Sequence, residues 1–387
     1  MKNWKILIFG LLIILLTSTF ANVEASSNIY IEGMEAFKSN PALNTTDKKY
    51  EIGFKGYGFI GNNAIKSEYL NQYLDESKKE EILSNVGNDD LAIIGNGIQS
   101  MKFGYQNYGV FYGLEENGLA TLSKDALELM LIGNEIGREY SFDGTKGELA
   151  VYTKGGISYS NSSSKLADRM DSRKVRLGFN LGLLSGAIAK YNGIGSITTN
   201  YQDTITGSGL VKVKYTEEGS GYVLDFGINT VKNKKISWGA SISNIGSISS
   251  DSGRFYEYEY DPDAQEFKET KDQPLDKLVY SLPTKINFNT KYHWKKNTTL
   301  YNSYTITSYS SGYNDHRISG ALEYNKLNYL PLSIGTTYST LQNDLTFSAG
   351  ASLKYKYLKV NAVFSDLKYI FDGSRSISLG ISTSFSF

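Results

Sequence analysis

The chain has 387 residues, with Lys+Arg 40 against Asp+Glu 40, two histidines and no cysteine. These figures exclude a disulfide scaffold, a cysteine zinc site, a thiol nucleophile and the basic surplus of a nucleic-acid binder. Only 5 prolines beside 38 glycines and 30 tyrosines point to long strands rather than to disorder or a helical bundle.

The N-terminus reads as an export signal. Lys2 and Lys5 precede an apolar run from Ile6 to Leu16, too short for a helix across a hydrocarbon core, which needs about 20 residues. Val23-Glu24-Ala25 sets small residues before a cleavage point, so residues 1–25 are expected to be a signal peptide cut after Ala25. Residues 26–47 then form a short segment ahead of the strands. Within it, Pro41 lacks a donor and ends any local helix, so Asn40-Pro41-Ala42 reads as a bent plug or strap.

From Lys48 to Phe387 the dominant period is two. Val175, Leu177, Phe179, Leu181 and Leu183 face away from Arg176, Gly178, Asn180 and Gly182. Ile286, Phe288, Thr290 and Tyr292 do the same against Lys285, Asn287, Asn289 and Lys291, and Ile377 to Phe387 alternates with serines and Gly380. Each such strand has one apolar face and one face of small and polar residues.

A soluble sandwich and a transmembrane barrel both use that pattern. The strands, however, have the length of tilted membrane strands, about 9–11 residues, rather than the 5–6 typical of sandwiches. Their polar faces are rich in Gly and Ser, and aromatics gather at strand ends: Tyr105/Tyr108, Tyr292/Trp294, Tyr324/Tyr329 and Tyr355/Tyr357. Interfacial girdles of membrane barrels have this composition. The expected fold is an all-β, antiparallel transmembrane barrel of about 14 strands, between about 12 and 16.

Loop lengths give the sidedness. Lys356-Tyr357, Asn325–Leu327, Trp294–Asn297 and Val231–Lys235 are short and are assigned to the periplasm. Asp366–Ser374, Thr340–Asp344, Ser308–Asp315 and, longest, residues 249–278 become outer loops. Residues 190–207 fit a loop or a strand pair. Two stretches have helical spacing instead. Ser77 with Glu80 makes a capping box ahead of Ile82, Leu83 and Val86, stopped by Gly87. Ser123 caps a second helix carrying Leu127, Met130 and Leu131, stopped by Gly133.

Several pieces then resemble the FadL-like superfamily of long-chain fatty-acid transporters. Asn40-Pro41-Ala42 is similar to the Asn-Pro-Ala of that group's N-terminal hatch. Gly221, Asp225 and Gly227, followed after a basic turn by Asn244-Ile245-Gly246, resemble its Gly–Asp–Gly strand and Asn-Leu-Gly strand end. The terminal Phe385 and Phe387 look like the C-terminal signature read by the barrel-assembly machinery. The layout through Ser123–Tyr140 looks like an uncharacterised Bacteroidetes-type branch. The resemblance implies a barrel in the outer membrane of a diderm bacterium, in contact with its lipid.

Parity places Asp225 toward the lumen with Arg176, Asn180, Lys285, Lys291, Lys354, Lys359 and Glu323, a set whose cations outnumber its anions. In the long outer loop, Asp261 and Asp263 lack the turn glycine and closing glutamate of a calcium loop, so an extension of the neighbouring strand is expected there. His293 beside Trp294 reads as girdle, and Asp315 and His316, adjacent in a strand, point to opposite faces and form no dyad. No catalytic motif, metal cluster or cofactor site is expected. The expected function is a passive channel or transporter for small solutes, hydrophobic ones among them. The alternatives are a non-transporting barrel that anchors or shuttles a surface protein, as type IX secretion barrels do, or an adhesin.

Overall fold

The computed structural model describes residues 40–43, 49–87, 89–199, 205–261, 263–264, 266–368 and 373–387. The signal peptide and most of the segment 26–47 lie outside them. The strands are β1 (Tyr50–Asn62), β2 (Leu91–Tyr105), β3 (Tyr108–Leu122), β4 (Glu139–Ser141), β5 (Lys146–Ser162), β6 (Lys174–Thr199), β7 (Ile205–Val231), β8 (Ile236–Ser250) and β9 (Arg254–Asp261). They continue as β10 (Glu266–Pro274), β11 (Leu278–Ser281), β12 (Thr284–Lys295), β13 (Thr298–Ser308), β14 (Asn314–Tyr324), β15 (Leu332–Ser339), β16 (Asp344–Tyr355), β17 (Leu358–Ser365) and β18 (Ser376–Ser386).

Every neighbouring pair is antiparallel, and β18 returns to pair with β1, closing a 14-stranded barrel. β11 and β12 make one stave, interrupted at Leu282-Pro283 because proline has no donor for the ladder. β4, β9 and β10 lie above the closed wall, β4 paired on the upper half of β6, β9 on that of β7, and β10 on β9. Closure leaves no open edge in the wall, which is the condition for backbone in lipid. The last residue takes part: Tyr50 and Phe387 exchange backbone hydrogen bonds at 3.0 Å, and their rings lie 6.1 Å apart.

The apolar parity faces outward. Phe54, Met101, Tyr112, Leu181, Phe226, Phe288, Ile334 and Ile381 are all exposed, as a lipid-facing belt requires. Tyr105, Tyr108, Trp294, Tyr324, Tyr329, Tyr355 and Tyr357 are exposed at the end that holds the short turns, as the girdle reading expects. Among the described residues, no helix is long and apolar enough to cross a membrane.

Residues 190–199 and 205–207 pair with each other as the upper ends of β6 and β7, so the described part of 190–207 resolves the loop-or-strand alternative in favour of strands. The helix at Glu76–Val86 is capped by Asp75, whose side chain accepts from the Lys78 backbone N–H at 3.0 Å, so Ser77 is not the cap expected from sequence. Packing decides between these two good capping residues: the earlier start puts Ile82 and Val86 against Tyr69, Leu91 and Leu127. Ser123 caps Lys124–Leu131 as expected, donated to by Ala126 N at 3.3 Å. Both helices sit on the upper ends of β1 to β3 and share that apolar cluster. A third helix, Ser164–Arg169, follows β5 at the opposite end, capped by Ser163.

Candidate functional site

At the short-turn end, Asn40 leads into a single 3-10 turn, Pro41–Leu43, against the inner wall. The Asn40 side chain is fully buried and is held from both sides. Its Nδ2 donates to Ile228 O at 3.1 Å and Ala240 O at 3.4 Å, while its Oδ1 accepts from Ala42 N at 3.0 Å. Ser160 Oγ donates to Ala42 O at 2.9 Å. The turn therefore stitches β5, β7 and β8 together. It can lie this close only because three facing wall positions lack side chains. A Cβ on Gly178 would collide with the Pro41 carbonyl, one on Gly227 with the Asn40 side chain, and one on Gly239 would come within 2.8 Å of Asn40 Nδ2.

One level above, Asp225 is buried among polar partners. Its Oδ2 accepts from Asn180 Nδ2 at 2.9 Å and lies 3.5 Å from Lys154 Nζ, itself buried. Its Oδ1 accepts from the Asn244 backbone N–H at 2.8 Å. The wall is irregular here: the β7–β8 register shifts between Leu224 and Phe226, and Asn244 has φ +60, a conformation that asparagine tolerates better than most residues. Asn244 Nδ2 in turn donates to Pro283 O at 3.3 Å, across the break between β11 and β12. Asp225 and Asn244 thus supply with side chains the hydrogen bonds that the broken ladder omits. Gly221 and Gly246 allow the close approach of the same strands, since a Cβ on either would meet the facing backbone.

Higher still, the inward parity turns apolar. One cluster joins Ala150, Tyr152, Leu184, Ile188, Val223, Ile248, Leu278, Tyr280 and Leu282. A second, on the opposite wall, joins Tyr57, Phe59, Ile94, Leu119, Tyr309 and Val363. Two hydroxyl tips of the first cluster turn to β3, Tyr152 from the neighbouring strand and Tyr280 from across the barrel. Tyr152 OH donates to Glu115 Oε2 at 3.1 Å and accepts from Asn117 Nδ2 at 2.8 Å, and Tyr280 OH reaches Asn117 O at 3.5 Å. The Arg317 guanidinium lies 5.0 Å over the Phe59 ring and donates to Asp315 at 2.5 Å.

At the outer mouth the turn at 309–313 reaches over to the upper ends of β2 and β5. Ser310 Oγ donates to Glu148 Oε2 at 2.5 Å, Lys146 Nζ donates to Ser311 O at 3.3 Å, and Tyr313 OH reaches Asp90 at 3.5 Å. Burial pushes the Asp90 carboxyl above the usual range. Inward-facing residues are buried at both ends, Glu51 and Lys102 at one and Ser339 and Gln342 at the other.

Of the residues singled out from sequence, Asn180 and Asp225 meet directly, and Asn40-Pro41-Ala42 meets Gly227. Arg176 and Lys285 lie elsewhere on the inner wall, and Lys291 and Glu323 lie together nearer the short-turn end, with Lys354 directly opposite Lys359. His293 departs from the girdle reading: it pairs with the inward-facing Thr299, and its Nδ1 is 3.1 Å from Thr299 Oγ1. His316 faces outward to Tyr304 OH at 2.7 Å while Asp315 faces inward, as the alternation requires. Asp261 pairs with Lys268 and closes its own turn by accepting from Asp263 N and Ala264 N.

The cation excess read from sequence omitted Lys154, Glu115, Asp315, Arg317, Glu51 and Glu148, all on the inward face. Their parity was available, but their strands alternate less cleanly. Lys154 is followed by Gly155-Gly156, and Glu115-Glu116 puts one carboxylate on each face.

No family model matches the chain, and no curated protein matches it. Solved structures do. The toluene transporter TbuX of Ralstonia pickettii aligns with a TM-score of 0.55 at 10% identity, covering 95% of this chain and 99% of that one. A FadL homologue of Pseudomonas aeruginosa aligns with a TM-score of 0.54 at 10% identity, over 96% of this chain and 98% of that one. The toluene transporter TodX of Pseudomonas putida gives 0.51 at 12% identity, over 95% and 100%. The chain therefore shares its fold with these two toluene transporters and this FadL homologue, and that fold is the one the resemblance of its motifs implies.

Proposed function

We propose that this protein is an outer-membrane passive transporter for small apolar solutes, opened by displacement of the Asn40–Leu43 turn and of the mouth turn 309–313. The observation that carries the reading is the pair of apolar clusters on the inward parity of the upper barrel, around Tyr152, Tyr280 and Ile248 and around Tyr57, Phe59 and Tyr309. A water-filled pore has a polar interior throughout. Here a stretch lined largely by apolar side chains, with Glu115 and the Arg317–Asp315 pair set among them, lies between a polar mouth and the Lys154–Asp225 level, so a small apolar molecule finds a favourable surface there. The fold shared with toluene transporters and a FadL homologue supports the same reading. So does the outward apolar belt, which requires a lipid surround, and the expected signal peptide supports export to the outer membrane.

The test is entry of an apolar solute and of a sugar of similar size into proteoliposomes, comparing the full mature chain with one lacking residues 26–47. Faster entry of the apolar solute, increased by truncation, is the expected result. Entry of the sugar at an equal rate would show a general pore, and no entry of either by both forms would end the transport reading.

A further inference from the structure

The wall does not stop at the top of the apolar belt. β6 and β7 continue together, β9 pairs along Leu210–Tyr215 of β7, and β10 covers the far side of β9, making a fin above the barrel. Register fixes its two sides. Lys190, Lys212, Lys214 and Glu257 share the side over the mouth, where Lys190 bridges Glu148 at 3.1 Å. The other side continues the lipid-facing parity of Leu181 and Leu183 and carries Val211, Val213, Tyr215, Tyr256, Tyr258 and Tyr260. All six are half-buried.

This side is an aromatic surface edged with planar polar groups. Phe267 joins it opposite Tyr260, the two rings 5.6 Å apart and edge to face. Both side chains lie over Gly209, where an added Cβ would come within 3.1 Å of Phe267 and 3.3 Å of Tyr260. Asp272 stands directly opposite Tyr256 and Glu269 opposite Tyr258. The Arg254 guanidinium pairs with Asp272 and lies 5.9 Å from the Tyr256 ring.

We propose that this outward face of the fin binds the sugar portion of the outer-leaflet glycolipid. A pyranose presents a C–H face and a rim of hydroxyls. Tyrosine rings match the first, while carboxylates and a guanidinium match the second. Hydrocarbon chains are excluded by Glu269, Asp272 and Arg254 on the same face, since charges in hydrocarbon cost several kcal/mol. Location selects the glycolipid as the source. The face is continuous with the lipid-facing wall, and the layer just outside the hydrocarbon of such a leaflet consists of glycolipid sugars. The inference rests on the outer-membrane reading above but not on transport.

The experiment is native mass spectrometry of the folded full mature protein in detergent. Its probes are a glycolipid bearing its core oligosaccharide, the same lipid without the core, and a soluble polysaccharide. The core-bearing glycolipid is expected to bind about tenfold tighter than the core-less lipid, and Tyr256→Ala/Tyr258→Ala to lose that preference while keeping the heat-modifiable gel shift of a folded barrel. Equal affinity for both lipids, or an unchanged preference in the double variant, overturns the proposal. Tyrosine-dependent binding of the soluble polysaccharide without binding of the glycolipid overturns the assigned source. Failure here leaves solute entry unchanged, so it is distinguishable from failure of the transport reading.

Discussion

The substitution Gly178→Ala addresses the plug with one methyl group. The added Cβ collides with the Pro41 carbonyl, which belongs to backbone and cannot rotate away as a side-chain tip would. The turn must leave the wall and give up the bonds that hold it: Asn40 Nδ2 to Ile228 O at 3.1 Å and Ala240 O at 3.4 Å, and Ser160 Oγ to Ala42 O at 2.9 Å. At about 1 kcal/mol for each buried bond, the closed state loses about 3 kcal/mol, or on the order of 100-fold in the ratio of docked to undocked turn. Conductance in planar bilayers and hydrogen exchange at residues 40–43 read the two consequences separately. Gly178→Ala is expected to raise both. Gly56→Ala, where an added Cβ meets nothing within 4 Å, is expected to raise neither. Slow exchange at residues 40–43 in Gly178→Ala would refute the reasoning, because it would mean that the turn tolerates the methyl in place.

Other perturbations give distinct outcomes. Asp225→Asn leaves Lys154 buried without its carboxylate and is expected to cost about 3–5 kcal/mol, read as an earlier midpoint of the heat-modifiable gel shift; pairing it with Lys154→Met should recover most of the loss. An altered ion selectivity at unchanged stability would instead make Asp225 a pore charge. Asn244→Ala forfeits the bond to Pro283 O and strains a φ of +60, for about 1–3 kcal/mol, with Asn244→Gly sparing the strain; equal stability of both variants to wild type would remove the stitching role.

The Asp366 carboxyl, in the outer loop after β17, is pushed up to about 6 by burial. Between its ordinary value near 4 and this raised one, the folded loop holds a proton that the unfolded chain has released, so local stability falls as pH rises through that window. Protease resistance of the outer loops is therefore expected to be higher at pH 4.5 than at pH 7, and Asp366→Asn to flatten the difference.

What the sequence determined by itself was the two-sidedness of each strand. Alternation in Ile286–Tyr292 and Val175–Leu183 states which residues meet lipid and which meet the interior, because the period of two is a property of the chain. Terminal tyrosines and short turns such as Lys356-Tyr357 then mark one end of every hairpin. Around residues 190–207 the sequence lapses into a run of Gly, Ser and Thr with scattered Ile, so the alternation is too weak to read and loop and strand were equally compatible with the pattern.

Only the tertiary structure decided who stands opposite whom. Asp225 finds Lys154 two staves away, Glu148 finds Ser310 across the mouth, and Asn40 finds Ile228 and Ala240, because barrel closure and ladder register bring them together. Periodicity specifies a face and carries no information about the partner across a lumen. The same limit applies to Asp75 and Ser77, which are equivalent as caps until Ile82 and Val86 must reach Tyr69 and Leu127.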